Sequence, residues 1–285
     1  GYERDAESDL DFAQARMYAN RLGRFTSVDV GPFTPADPQN FNRYVYTQNN
    51  PIKFIDPTGR EIELSGDKAQ EFLEYLENNS GLKFKTKVKN GVITITGASK
   101  NKNFNGTVNK EFAKVVSSVA NASGTAKFNV SENQFIKDKS GQEIEVFVDD
   151  NENAWNDQTT DSSGNKNIRT SNVDLADINS IASQDSTFAQ ALVGHFLIEG
   201  LEMRKPGSSY DLGTEGAHQT GLDVERKILG QKDKRYQGNP DVNQQTGDQT
   251  YKFVYTNIQY DVIMKNNGSV NVNKVSPPTV QRPKK

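Results

Sequence analysis

From residue 60 onward the apolar positions fall into two rhythms, one of period two and one near 3.6. Ile62-Glu63-Leu64 alternates as a short strand, and Phe72, Leu73 and Leu76 then recur at helical spacing. That spacing predicts a helix over about 68–78, begun by Ser65-Gly66-Asp67 and ended by Asn79-Ser80-Gly81. The runs 83–88 and 92–96 flank Asn90-Gly91, a pair that supplies the positive φ a tight hairpin turn demands. A second helix is expected over 109–122, with Phe112, Val115, Val116 and Val119 on one face, and strands at 127–130 and 143–149. The stretch 150–170 is rich in Asn, Asp, Ser, Thr and Gly, holds Trp155, and reads as a long surface loop. Val173–Ile178 alternates like a strand and leads through Ser186 or Thr187, as N-cap, into a helix over 188–203 closed by Lys205-Pro206-Gly207. A further helix starts near His218 and runs toward Leu229. Residues 251–264 and 269–272 read as a final hairpin, and 276–285 as a disordered tail. The class this predicts is α+β: a small mixed or antiparallel sheet with several packed helices, over about 60–275.

The first 59 residues have a different texture. Aromatics alternate with turn residues, and five prolines (Pro32, Pro35, Pro38, Pro51 and Pro57) rule out long helices. Short strands and tight turns are the natural reading. Their motifs run in order: Tyr2-Glu3-Arg4-Asp5, Asp11-Phe12-Ala13, Leu22-Gly23-Arg24-Phe25, Asn42-Arg43-Tyr44-Val45-Tyr46, Asn49-Asn50-Pro51 and Asp56-Pro57-Thr58-Gly59. This series resembles the closing module of the core of Rhs and YD-repeat proteins. The resemblance implies an irregular β-rich end of a strand shell, followed by a variable carboxy-terminal effector or toxin domain. It also implies three partners or routes: the remainder of the shell, a cognate immunity protein, and secretion or cell-surface delivery through the parent protein. Some members of that family cut themselves beside the terminal Asp-Pro-x-Gly motif, which here makes Asp29, Asp56, Pro57 and Gly59 the candidate self-cleavage residues. In this chain Val30-Gly31 follows Asp29 where many relatives carry proline.

Composition narrows the chemistry. The chain of 285 residues has no cysteine, which excludes disulfides, thiolate zinc sites and a cysteine nucleophile. Its net charge of −3 comes from 34 basic and 37 acidic residues of mixed sign, so no broad field favours nucleic acid or anionic membranes. Lys83, Lys85, Lys87 and Lys89 share one face of a strand, a pattern typical of a protected sheet edge. No apolar run reaches the roughly 18 residues a membrane span needs, and the amino terminus lacks signal-peptide character. Export is therefore expected to rest on sequence outside this stretch. There is no phosphate-binding glycine loop and no Gly-x-Ser-x-Gly elbow.

The concentrated signal is histidine. Both histidines of the chain, His195 and His218, lie 23 positions apart on neighbouring predicted helices. His195 and Glu199 are four apart, so they stack on one helical face, and Glu202 extends that stripe. His218 and Glu225 are seven apart, again on one face. Imidazole and carboxylate are ordinary zinc ligands, and three of them leave a position open for hydrolytic chemistry. His195, Glu199, His218 and Glu225 are thus the candidate ligands, with Glu202 and Glu225 the candidate acid–base groups. The pattern resembles a degenerate zincin and implies a metal-dependent, metallopeptidase-like hydrolase acting on a protein substrate. Two positions depart from the zincin motif: Phe196 stands where the general base follows the first histidine, and Glu199 where the second histidine stands. The second change makes the site harder and more anionic, so manganese or magnesium competes with zinc as the expected ion.

Two other readings use the same residues. The domain is a catalytically inactive zincin-like binding module, or a metal-free nuclease with the two histidines as acid and base. Each residue also has a structural reading: a histidine on an apolar helix commonly serves as a hydrogen-bonded core residue, and the glutamates as paired surface charges.

Overall fold

A computed structural model describes residues 3–5, 10–13, 16–19, 24–27, 60–121, 124–137, 141, 143–150, 159–160, 166–167, 170–203, 208–210, 215–237 and 239–279. The chain divides into two compact units, Gly1–Gly59 and Arg60–Lys285. In the first, β1 (Glu3–Asp5), β2 (Leu10–Ala13), β3 (Arg16–Ala19) and β4 (Arg24–Phe25) form an antiparallel meander in sequence order. The self-cleavage candidates Asp29, Asp56, Pro57 and Gly59 lie outside the described residues, as does Trp155.

The second unit is α+β. Its main sheet combines β5 (Arg60–Ser65), β6 (Leu82–Lys89), β7 (Val92–Lys100), β8 (Gly124–Ser131) and β13 (Ser171–Asp174) in the order β13-β8-β5-β7-β6. The β5–β8 and β8–β13 pairs are parallel and the rest antiparallel, so the sheet is mixed. Asn90 and Gly91 carry φ of 52° and 78°, as the hairpin between β6 and β7 requires. β6 is an edge strand, and Lys83, Lys85, Lys87 and Lys89 are exposed along it. Between β8 and β13 lie the short pairs β9 (Phe135–Lys137) with β10 (Glu143–Glu145), and β11 (Thr159–Thr160) with β12 (Lys166–Asn167).

Five helices are described. α1 (Ala69–Ser80) buries Phe72, Leu73 and Leu76 and stops at Gly81, whose left-handed conformation lets its N–H bond Glu77. α2 (Lys110–Ala120) is capped by the Asn109 side chain and buries Phe112, Val116 and Val119. α3 (Leu175–Gln184) was not foreseen: residues 175–178 were expected to continue a strand. The Asp174 carboxylate accepts from the N–H groups of Ala176 and Asp177, which ends β13 and starts the helix there. α4 (Ser186–Glu202) is capped by Asp185, one residue before the expected cap. α5 spans Ala217–Ile228.

α4 is the hub of the core. Residues 188–201 are all buried, the picture of a helix enclosed on every side. Phe196 is fully buried between Phe72 of α1 and Phe128 of β8, at ring distances of 5.9 and 5.6 Å. Phe188, near the other end, stacks at 3.9 Å on Tyr260 in a second sheet. That sheet holds β14 (Tyr236–Gln237), β15 (Asp241–Val242), β16 (Gln249–Val254), β17 (Gln259–Met264) and β18 (Val270–Val275). The expected final hairpin is therefore a meander, because Thr256-Asn257 breaks the run 251–264 into two strands. Ser276 and Thr279, read as tail, are hydrogen-bonded to Asn257 and Gln259.

Candidate metal centre

α4 and α5 pack against each other closely because glycines stand at the contact. A Cβ at Gly221 would lie 2.4 and 2.6 Å from Cδ2 and Nε2 of His195, and one at Gly194 would lie 2.5 Å from Cδ1 of Ile228. The missing side chains bring His195 and Glu199 of α4 against His218 and Glu225 of α5.

Three of these four side chains converge. One donor atom from each of His195, Glu199 and His218 lies within 4.8 Å of the others. Oε1 of Glu199 is 3.6 Å from Nε2 of His195 and 3.0 Å from Nδ1 of His218. Bonds of about 2.0–2.2 Å to a tetrahedral ion would set ligand atoms about 3.3–3.6 Å apart, a spacing these two distances bracket. The two imidazole rings are 5.0 Å apart at their centroids.

Glu225 stands behind this group. Its Oε2 is 2.7 Å from Nδ1 of His195 and accepts from Nη1 of Arg235, also at 2.7 Å. The Tyr255 hydroxyl donates to its other oxygen. Three partners satisfy a fully buried carboxylate, as burial of a charge demands. Holding Nδ1 also fixes the ring so that Nε2 faces Glu199, the usual way a neighbour orients a metal-binding histidine. Glu202 lies one turn beyond Glu199, half-buried, and does not line the cavity described next.

The charges shape one another. Burial opposes protonation of His195, but the carboxylates of Glu199 and Glu225 outweigh it and lift its pKa to about 9. Burial likewise opposes ionisation of Glu225, yet Arg235, His195 and the Tyr255 hydroxyl pull its pKa down to about 2. His195 and His218 lower the pKa of Glu199 against its own burial. Assembling so many charged groups inside a core is costly, and a purely structural contact would be served as well by apolar side chains.

The group opens onto a cavity of about 200 Å³, lined among others by Leu192, Tyr210, Arg235, Phe253 and the segment Phe147–Asp150. Tyr210 stacks against His218 at 5.3 Å, and the Arg235 guanidinium sits 4.3 Å above the Phe253 ring. In the lining segment Phe147–Asp150, the Asp149 N–H bonds the Phe147 carbonyl at 2.7 Å. This closes a γ-turn around Val148 at φ 63°, an uncommon and strained conformation for a β-branched residue. Sequence reasoning missed Arg235, Tyr255, Tyr210 and this turn. Arg235 and Tyr255 sit among ordinary polar and aromatic residues with no periodic relation to the histidines, so no local signal marked them.

No protein-family model matches the chain, and no solved structure matches it. Over 64 residues, 22% of its length, the chain is 39% identical to the tRNA nuclease WapA of Bacillus subtilis (strain 168). It is equally similar to the tRNA3(Ser)-specific nuclease WapA of Bacillus spizizenii, and 41% identical over 62 residues to the tRNA(Glu)-specific nuclease WapA of Bacillus subtilis subsp. natto. The match spans 3% of the length of each of these far longer proteins. Among the described residues no helix is long and apolar enough to cross a membrane.

Proposed function

We propose that residues 60–285 are a toxin effector domain carried behind the end of an Rhs-type core, and that the domain is a metal-dependent hydrolase. The observation that carries the second part is the convergence of His195, Glu199 and His218 on one cavity, with Glu225 fixing the first ring from behind. The modular part is supported by the ordered motifs of residues 1–59 and by the WapA similarity. Within this reading a cognate immunity protein protects the producer, and delivery runs through the parent protein.

His195, Glu199 and His218 would hold one divalent ion, zinc first, with the anionic Glu199 leaving room for manganese or magnesium. The ion would polarise the scissile group and acidify water. Glu225, itself held by Arg235, keeps the His195 ring from turning. The substrate class favoured here is a polypeptide, from the zincin-like spacing on α4.

The relatives are named as tRNA nucleases, which keeps a second reading in view: a metal-free nuclease with His195 and His218 as acid and base. One experiment separates the two. The purified chain is incubated with unfolded casein and with bulk tRNA, each with and without chelator. Casein cleavage abolished by chelator and restored by zinc supports the hydrolase; tRNA cleavage indifferent to chelator supports the nuclease. Stoichiometric metal with neither activity would leave a binding module.

A further inference from the structure

Tyr210 lines the cavity and sets an oxygen at a defined distance from the candidate ligand group. Its hydroxyl lies 3.4 Å from Nδ1 of His218, the same nitrogen that stands 3.0 Å from Oε1 of Glu199. A carboxylate is the stronger acceptor, so a proton on that nitrogen is directed at Glu199. The hydroxyl stands off beyond the roughly 2.7–3.2 Å of an ordinary hydrogen bond between nitrogen and oxygen. Its separation falls instead within the spacing of about 3.3–3.6 Å between two ligands of one tetrahedral ion.

The backbone carries the tyrosine to this place. The first two N–H groups of α5 donate to the loop that precedes it, Ala217 to the Ser209 carbonyl and His218 to the Tyr210 carbonyl, each at 2.9 Å. Gly216 permits the approach: its φ is 108°, and a Cβ there would lie 2.7 Å from the Tyr210 carbonyl oxygen. The Tyr210 ring packs against Met203 and Ala217 and stacks on His218. Tyr210 and His218 are thus tied to each other twice, through a backbone hydrogen bond and through their rings. A phenylalanine would serve the ring contacts equally, which makes the hydroxyl the group to test.

We propose that the Tyr210 hydroxyl oxygen is a fourth protein ligand of the divalent ion, a role that rests on the metal-centre reading above. The donor set becomes two imidazoles, one carboxylate and one phenolate, with the phenol proton released to solvent as the ion binds. One carboxylate and one phenolate balance a divalent charge, and Glu225 balances Arg235 behind them, so the centre closes without net charge. Four protein donors complete a tetrahedron, and expansion to five-coordinate leaves one position for a substrate atom.

The test loads the full chain with one equivalent of copper(II), an ion suited to imidazole and oxygen donors, and compares wild type, Tyr210→Phe and His195→Ala. A phenolate bound to copper gives a strong visible charge-transfer band. The wild type should show that band, and Tyr210→Phe should lose it while keeping one bound copper. Zinc affinity of Tyr210→Phe, from competition with a fluorescent chelator, should fall about 10-fold or more, at least the loss seen for groups that only orient a ligand. His195→Ala should lose the bound copper and the band together. Wild type holding one copper without the band overturns the assignment, as does a band or a zinc affinity unchanged in Tyr210→Phe; His195, Glu199 and His218 then stand as a three-ligand centre. The wild-type spectrum decides by itself should the variant not fold. A wild-type chain that binds neither copper nor zinc overturns the underlying reading, and the fourth ligand with it.

Discussion

Nδ1 of His195 on α4 lies 2.7 Å from Oε2 of Glu225 on α5. That contact makes Glu225 the residue that orients His195. Glu225→Gln keeps the shape and removes the charge, so zinc affinity should fall about 10- to 100-fold, as for other groups that orient a metal-binding histidine. Competition with a fluorescent chelator measures it. Glu225→Ala leaves Arg235 and His195 without their shared partner and should cost about 3–5 kcal/mol of stability in urea.

The same pair sets the pH response of the metal-free protein. Its His195 pKa is raised to about 9, above the ordinary value of 6.5. The stabilisation from the charged ring is fully present below pH 6.5 and is lost as pH rises through 9. A metal ion must displace the proton on Nε2, so zinc affinity should climb with pH up to about 9 and level off above it. Titrations at fixed ionic strength between pH 6 and 10 would show that curve, and its flattening near 6.5 would contradict the buried ion cluster.

Two glycines on the helix contact should behave differently. Gly221→Ala places a methyl group inside the His195 ring, so it should displace the ring and abolish stoichiometric zinc. Gly194→Ala meets the side-chain tips of Ile228 and Val224 rather than the His195 ring, and should keep zinc at an overpacking cost of about 1–3 kcal/mol. Metal analysis and denaturation of both variants check the contrast.

How much of this was readable beforehand differs by region. The hairpin around Asn90-Gly91 and helices α1, α2 and α5 were legible because turn chemistry and apolar spacing agree there. Residues 175–178 misled, since their alternation fits a strand, whereas the Asp174 carboxylate satisfies the first free N–H groups of a helix. At the site, helical spacing paired His195 with Glu199, and only the packing of α4 on α5 decides that His218 joins them. Glu225 was read as a ligand or acid–base group; packing puts it on the far nitrogen of His195. Arg235 and Tyr255 reach the site from another sheet, a relation that periodicity along the chain does not carry.

Outside the candidate ligand group, Asp177 offers a further check on the fold. Burial, with the nearby Asp174 charge, raises its pKa to about 7 from 3.8. Because the folded state holds this proton more tightly than the unfolded one, stability should fall as pH rises from about 4 to about 7. Asp177→Asn should flatten that slope, as read from urea midpoints across the range.

Anomalous scattering at the zinc edge, from crystals of the full chain grown with zinc, tests the central claim most directly. The account predicts one peak about 2.0–2.2 Å from Nε2 of His195, a carboxylate oxygen of Glu199 and Nδ1 of His218. A clear map with no peak there, or with zinc bound only elsewhere, would contradict it.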